Sequence, residues 1–231
     1  MTADLEARIE AELASPAPDE VTALAAALAD PGRDVAVLYY GSTLRTGDLS
    51  GILDFYRLTR RPHRRGLRGL VEAFLWPEVS YHEVAIGEQI LRAKVATMPL
   101  DVFRKAAEGR TLDTTIWARF VQPAQRVWSA DAEAGRAAGE AVAAAVVTAA
   151  RHAAALGPET GTAADYWLAL FRRTYAAEFR VENAGRADTV IAATPERYDA
   201  LLPPAWAAGG VDYADEGVRL RPSRRSRCRP G

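Results

Sequence analysis

The sequence predicts an α+β protein, with strands gathered in the first half of the chain and helices filling the second. Three observations predict it. Between residues 34 and 97 the apolar residues fall in short runs rich in β-branched and aromatic side chains, separated by glycines and polar stretches. From Leu100 onward they recur at helical spacing almost to the end. The 231 residues suffice for one large domain or two unequal ones.

Two helices open the chain. Leu5, Ile9 and Leu13 repeat at helical spacing, and Val21, Leu24 and Leu28 do so after Pro16 and Pro18. The run 34–40 (DVAVLYY) then reads as a buried strand ending at Gly41-Ser42. A polar linker with Gly47 and Gly51 leads to a second strand over 52–58. Residues 64–75 read as a helix with Leu67, Leu70, Val71 and Phe74 on one face. Strands are predicted over 79–86 and 89–97. Helices follow over 100–107, over 114–128 with a break at Pro123, over the alanine-rich stretch 131–156, and over 163–181 and 195–202. From Val211 a short extended piece runs into a disordered basic end. The expected organisation is a sheet-bearing domain over 1–98, a helical domain over 99–210 and a tail over 211–231.

Composition excludes some classes. Hydrophobic residues make up 49% and the net charge is −1, so a basic excess suited to nucleic acid is absent and no nucleic-acid partner is expected. All but two of the 29 basic residues are arginines, Lys94 and Lys105 being the exceptions. Arginine is thus the default cation here, and each one carries less information than usual. Clusters occur at Arg60, Arg61, Arg64, Arg65 and Arg68, and at Arg219, Arg221, Arg224, Arg225, Arg227 and Arg229. They read as anionic-membrane contacts or as solvated faces. The single cysteine, Cys228, permits no intramolecular disulfide. The first residues lack a signal-peptide layout, and the longest apolar stretch is too short to cross a bilayer. A cytoplasmic location is expected, with any membrane role peripheral, on the inner face.

The chemistry-bearing segment is Tyr39-Tyr40-Gly41-Ser42, followed by Leu53-Asp54-Phe55. A strand, a Gly-Ser turn and a second strand carrying Asp form the core of nucleotidyltransferases. Glycine lets the backbone approach a triphosphate, and the following amides and the serine hydroxyl hold anionic oxygens. A carboxylate on the next strand then holds Mg²⁺ against the phosphates. Asp54, inside an apolar strand, needs a metal or a cation, a structural arginine pair being the plainer option. Asp48 is a loop carboxylate that either faces solvent or assists the metal. Glu83 shares a strand face with Tyr81 and is either a second metal carboxylate or solvated, while His82 points the other way. Arg92 and Lys94 share a face, for a triphosphate or for solvent.

Polymerase-β-type nucleotidyltransferases commonly place two carboxylates two residues apart, but Tyr56 stands at the second position. With that departure, Tyr40-Gly41-Ser42 and Leu53-Asp54-Phe55 resemble the mitochondrial-type phosphatidate cytidylyltransferases. The resemblance continues in order through Tyr81-His82-Glu83, Leu91-Arg92-Ala93-Lys94, Trp117-Ala118-Arg119-Phe120-Val121-Gln122-Pro123 and Thr174-Tyr175-Ala176-Ala177-Glu178-Phe179-Arg180. Glu83 stands for the family's Asn, Gln122 for its Lys and Glu178 for its Asp.

The resemblance implies a polymerase-β-like domain with a mixed sheet, followed by a helical domain. It implies transfer of CMP from CTP to a lipid phosphate such as phosphatidic acid at a membrane surface, with a divalent cation such as Mg²⁺. Asp54, Arg92, Lys94 and Arg119 would be catalytic, and Asp54 and Glu83 would hold the metal. Tyr40, Gly41, Ser42, Tyr175, Glu178 and Arg180 would bind nucleotide, with Asn183 near them. The family departures leave open another phosphorylated lipid, a protein or RNA acceptor, or a degenerate nucleotide-binding scaffold.

Overall fold

The run 34–40 becomes strand β1 (Asp34–Tyr40), whose seven residues are all buried. In the computed structural model, which describes residues 2–60, 76–111, 114–177, 186–223 and 226 (side chains excepted at 175–177, 186 and 187), the chain is mixed α and β. Helices α1 (Ala3–Leu13) and α2 (Asp19–Leu28) precede β1 as the spacing predicts. After it come the short helix α3 (Ser42–Thr46), β2 (Ile52–Thr59), β3 (Glu78–Ile86), β4 (Gln89–Pro99) and α4 (Leu100–Ala107). Then follow α5 (Thr115–Phe120), β5 (Ala124–Ser129), α6 (Ala132–Leu156), α7 (Ala163–Ala177), α8 (Arg186–Ala193) and α9 (Pro195–Ala208). A two-stranded ladder of β6 (Tyr213–Asp215) and β7 (Leu220–Pro222) closes the described chain. The helix expected over 64–75, the arginines at 61, 64, 65, 68, 224, 225, 227 and 229, and Cys228 lie outside the described residues.

The chain divides into two units, each drawn from separated stretches. One comprises Ile9–Arg104 and Pro123–Ala141. It holds the five-stranded sheet, ordered β3-β4-β2-β1-β5. β2 and β4 run parallel and the other pairs antiparallel. Alternation along the strands sorts side chains onto two faces. Val37, Tyr39, Leu53, Phe55, Leu91, Ala93 and Val95 share a core with Val21, Leu24 and Ala25 of α2. The opposite face carries Tyr40, Asp54 and Tyr56, with the Tyr56 ring 5.9 Å from Phe103 of α4.

The other unit comprises Met1–Arg8, Lys105–Gln122 and Val142–Gly231. Three of its buried large aromatics have their polar ends satisfied. Trp167 Nε1 donates to the Tyr198 carbonyl at 3.0 Å, Trp206 Nε1 to the Ala150 carbonyl at 2.8 Å, and the Tyr166 hydroxyl to the Leu220 carbonyl at 2.8 Å.

Three expectations are corrected. Residues 114–128 are not one broken helix: α5 stops at Phe120, and 124–129 form an edge strand. Gln122 Nε2 donates back to the Ala118 carbonyl, and Arg197 Nη1 to that of Val121, closing the helix end before Pro123. The segment beyond then supplies the ladder partner that β1 lacks on its second side. Helix α9 continues through Pro203 and Pro204 to Ala208, past the expected stop at 202. The buried Leu201, Leu202, Ala205 and Trp206 outweigh the lost helix bonds. The linker after Gly41 opens with a helical turn, α3.

Asp34 is fully buried at the start of β1. It accepts from the Asp30 amide at 2.7 Å and lies 3.7 Å from Arg57 Nε. Burial, the largest influence, raises its pKa, while the Asp30 bond and the Arg57 charge oppose the rise. The fold therefore favours the protonated acid. Its stabilising contribution is full below the ordinary value of 3.8 and is lost as pH climbs through the raised value. Asp34→Asn keeps an acceptor for the Asp30 amide without a titrating group. Its melting temperature relative to wild type should rise with pH from about 3.8 toward neutrality. A pH-independent difference across calorimetric scans would refute this.

Candidate active site

The sequence places Gly41 where β1 must turn into α3, and the backbone there explains why glycine is needed. Gly41 has φ 97° and ψ −158°, a region essentially closed to other residues. The carboxylate of Asp54, Tyr40's direct partner on β2, lies against it. A β-carbon at Gly41 would sit 2.7 Å from Asp54 Oδ2. The turn thus brings bare backbone against the one acid of β2. Gly47, at φ 72°, then ends α3 in the left-handed conformation.

Register carries the site across the sheet. Tyr40, Asp54, Lys94 and Tyr81 occupy one row of β1, β2, β4 and β3, on one face. Neighbouring strands lie about 4.8 Å apart, so Lys94 is Asp54's neighbour on β4 by register. Both are half-buried. The next row holds Ile52, Arg92 and Glu83. Arg92 Nη2 donates to the Ser50 carbonyl at 2.7 Å, which ties down the loop between α3 and β2. In that loop the Asp48 carboxylate accepts from the Ser50 amide at 2.9 Å, and its bonds with Ser50 hold its pKa below the usual value.

Behind the site, Tyr39 is buried on the α2 side, its ring 5.4 Å from Phe55. Burial above all raises its phenol pKa, and the Asp54 charge adds to the rise against an opposing influence from Thr43.

The sheet therefore brings Tyr40, Gly41, Ser42, Asp54 and Lys94 together. Glu83 is two strands across and one row along, roughly 12 Å, from Asp54 and faces Arg92 in register. His82, on the opposite face, makes a 2.8 Å hydrogen bond with Ser80. Arg119 and Tyr175 belong to the other unit. Glu178, Arg180 and Asn183, like the Tyr175 side chain, lie outside the described residues. Among the described residues no three His, Cys, Asp or Glu side chains converge as a metal cage. Mg²⁺ requires no such cage, since one carboxylate with substrate phosphates and water can hold it. The Asp54 carboxylate against Gly41, which the exposed Ser42 follows in the chain, has the chemistry for that shared arrangement.

Sequence reasoning missed two features. One is the tether from Arg92 to Ser50, for which no sequence signal exists. The other is an apolar set on the Asp54 face. Ile52, Val79, Tyr81 and Ile90 are four of the six exposed large hydrophobics among the described residues, at 45%, 46%, 68% and 71% exposure. Alternate positions in β3 and β4 hinted at it only once the sheet order was known. No described helix is long and apolar enough to cross a membrane. Neither a scan against protein-family models nor a search of curated proteins finds a match for the chain.

Proposed function

We propose that this chain is a polymerase-β-type nucleotidyltransferase that moves CMP from CTP to a lipid phosphate, phosphatidic acid being the acceptor the sequence resemblance implies. The observation that carries the reading is the Asp54 carboxylate packed against the glycine-only turn at Gly41, with Lys94 beside it in register. The apolar set around this row favours an acceptor with an apolar body and an anionic head.

Asp54 would hold Mg²⁺ together with the triphosphate, and the ion would supply charge neutralisation at the reacting phosphates. The backbone past Gly41 and the Ser42 hydroxyl bind phosphate oxygens. An acceptor phosphate oxygen attacks the α-phosphorus of CTP in line. The bond from that phosphorus to the bridging oxygen breaks, and pyrophosphate leaves with the electron pair. The Lys94 ammonium offsets the charge gathering on it. The acceptor is already an anion, so no general base is needed, and positioning and electrostatics do the work. The resemblance adds Arg119 as a phosphate contact.

A second reading has one observation in its favour. Tyr56, where the commoner pattern has its second carboxylate, is packed between Tyr40 and Phe103, with ring centroids at 5.7 and 5.9 Å. A scaffold that binds nucleotide without turnover would tolerate this.

The test is pyrophosphate release from each nucleoside triphosphate with Mg²⁺ and phosphatidic acid vesicles, with Asp54→Ala as control. Release with CTP only, dependent on lipid and lost in the control, is the expected result. Binding of CTP without release under any condition would favour the scaffold. Neither binding nor release would sink both readings.

A further inference from the structure

Ser42 follows the Gly41 turn, and the chain beyond it is held by a run of hydrogen bonds. The Thr46 hydroxyl donates to the Ser42 carbonyl at 3.0 Å and accepts from the Asp48 amide at 3.3 Å. The Asp48 carboxylate accepts from the Ser50 amide at 2.9 Å. The Ser50 carbonyl accepts from Arg92 Nη2 at 2.7 Å. The first three bonds reach at most four residues along the chain. They set the shape of the loop but not its place on the sheet. The last spans 42 residues and comes from β4. It is the shortest of the four, and its donor is charged, which makes such a bond roughly twice as strong as a neutral one. The loop also packs back on α3, since a β-carbon at Gly51 would meet the Thr43 methyl at 3.4 Å. We propose that Arg92 is a positioning residue for the Gly41–Ser42 turn, fixing it through the loop 46–50, and that it does not itself take the triphosphate. This rests on the reading of that turn as a phosphate site, and it removes Arg92 from the catalytic set that the sequence resemblance implies.

Register favours this division of labour. Lys94 shares the row of Tyr40 and Asp54. Arg92 is one row further along, between Ile52 and Glu83. With Glu83 opposite, its charge is already faced by a carboxylate. A guanidinium suits the tether because its planar fork loses little freedom for each hydrogen bond it makes.

A thermodynamic cycle tells a positioning arginine from a phosphate contact. CTP affinity with Mg²⁺ is measured by titration calorimetry on the full chain, for wild type, Arg92→Ala, Thr46→Val and the double variant. Both side chains are exposed, so the fold should persist, as circular dichroism checks. Arg92→Ala should weaken binding about tenfold. Thr46→Val cuts the same path nearer Ser42 and should cost a similar factor, whereas Thr46→Ser keeps the hydroxyl and should bind as wild type does. The double variant should bind no more weakly than the weaker-binding single variant, because a path already cut cannot be cut again. Direct contact of Arg92 with the triphosphate would make the two losses multiply instead. Amide exchange followed by NMR without nucleotide reads the tether itself, and Arg92→Ala should speed exchange at Asp48 and Ser50 about tenfold. Unchanged exchange or unchanged affinity in Arg92→Ala, or losses that multiply, overturns the proposal. A wild type that binds no CTP overturns the phosphate reading of the turn, and the proposal falls with it. Binding is read rather than turnover, so a scaffold that holds CTP without transferring it is tested equally.

Discussion

Gly41→Ala is expected to abolish nucleotidyl transfer and to weaken the fold together. Two costs coincide at this position. The backbone conformation, φ 97° with ψ −158°, is strained for any residue with a β-carbon, at about 1–3 kcal/mol. The added methyl would also stand 2.7 Å from Asp54 Oδ2. Relief requires either the turn or the carboxylate to move. Asp54 cannot move freely, because it sits mid-strand in β2 between β1 and β4. A displacement of about 1 Å in a positioned catalytic group costs about 10²-fold in rate, and that loss or more is expected in kcat/KM. Thermal unfolding should show a lower melting temperature in the same variant. Activity within a few-fold of wild type, on a protein of lowered stability, would separate the turn's structural role from catalysis and remove the basis for placing phosphate there.

Much of this geometry was legible in the sequence, and the limits have physical causes. β1 and β2 were readable because their apolar, β-branched and aromatic runs are bounded by turn residues, and burial on both faces leaves little ambiguity. The Gly-Ser turn was readable because few residues other than glycine make such a turn. β5 was not readable: Ala124–Ser129 has no alternation strong enough to outweigh the helical signal before Pro123. Its strand conformation comes from pairing with β1, residues far away in sequence. The same non-locality hid the choice among the cations and acids. Arg92, Lys94 and Glu83 look equivalent on period-two spacing alone. The parallel pairing of β2 with β4 sets Lys94 opposite Asp54, directs Arg92 to the Ser50 carbonyl, and leaves Glu83 two strands away.

Asp54→Asn should lower kcat by about 10³-fold or more while leaving the fold in place. The substitution preserves the shape of the side chain against Gly41 and the strand pairing around it. It removes only the charge that would hold the divalent cation and organise the triphosphate. The charge has a second readout that owes nothing to catalysis. Tyr39 lies buried behind the site, and the Asp54 carboxylate helps hold its phenol above the ordinary value of 10.0. Removing that charge should move the Tyr39 titration downward, measurable as the alkaline ultraviolet difference between wild type and variant, with Tyr39→Phe as the blank. Burial, the larger cause, remains, so the phenol should stay above the ordinary value in the variant. The two measurements separate the possibilities. A downward titration shift with activity lost places the charge where the structure has it and makes it essential. The same shift with activity unchanged means that the carboxylate is present at the turn but has no part in the chemistry, and the transfer reaction must then be sought away from this row of the sheet.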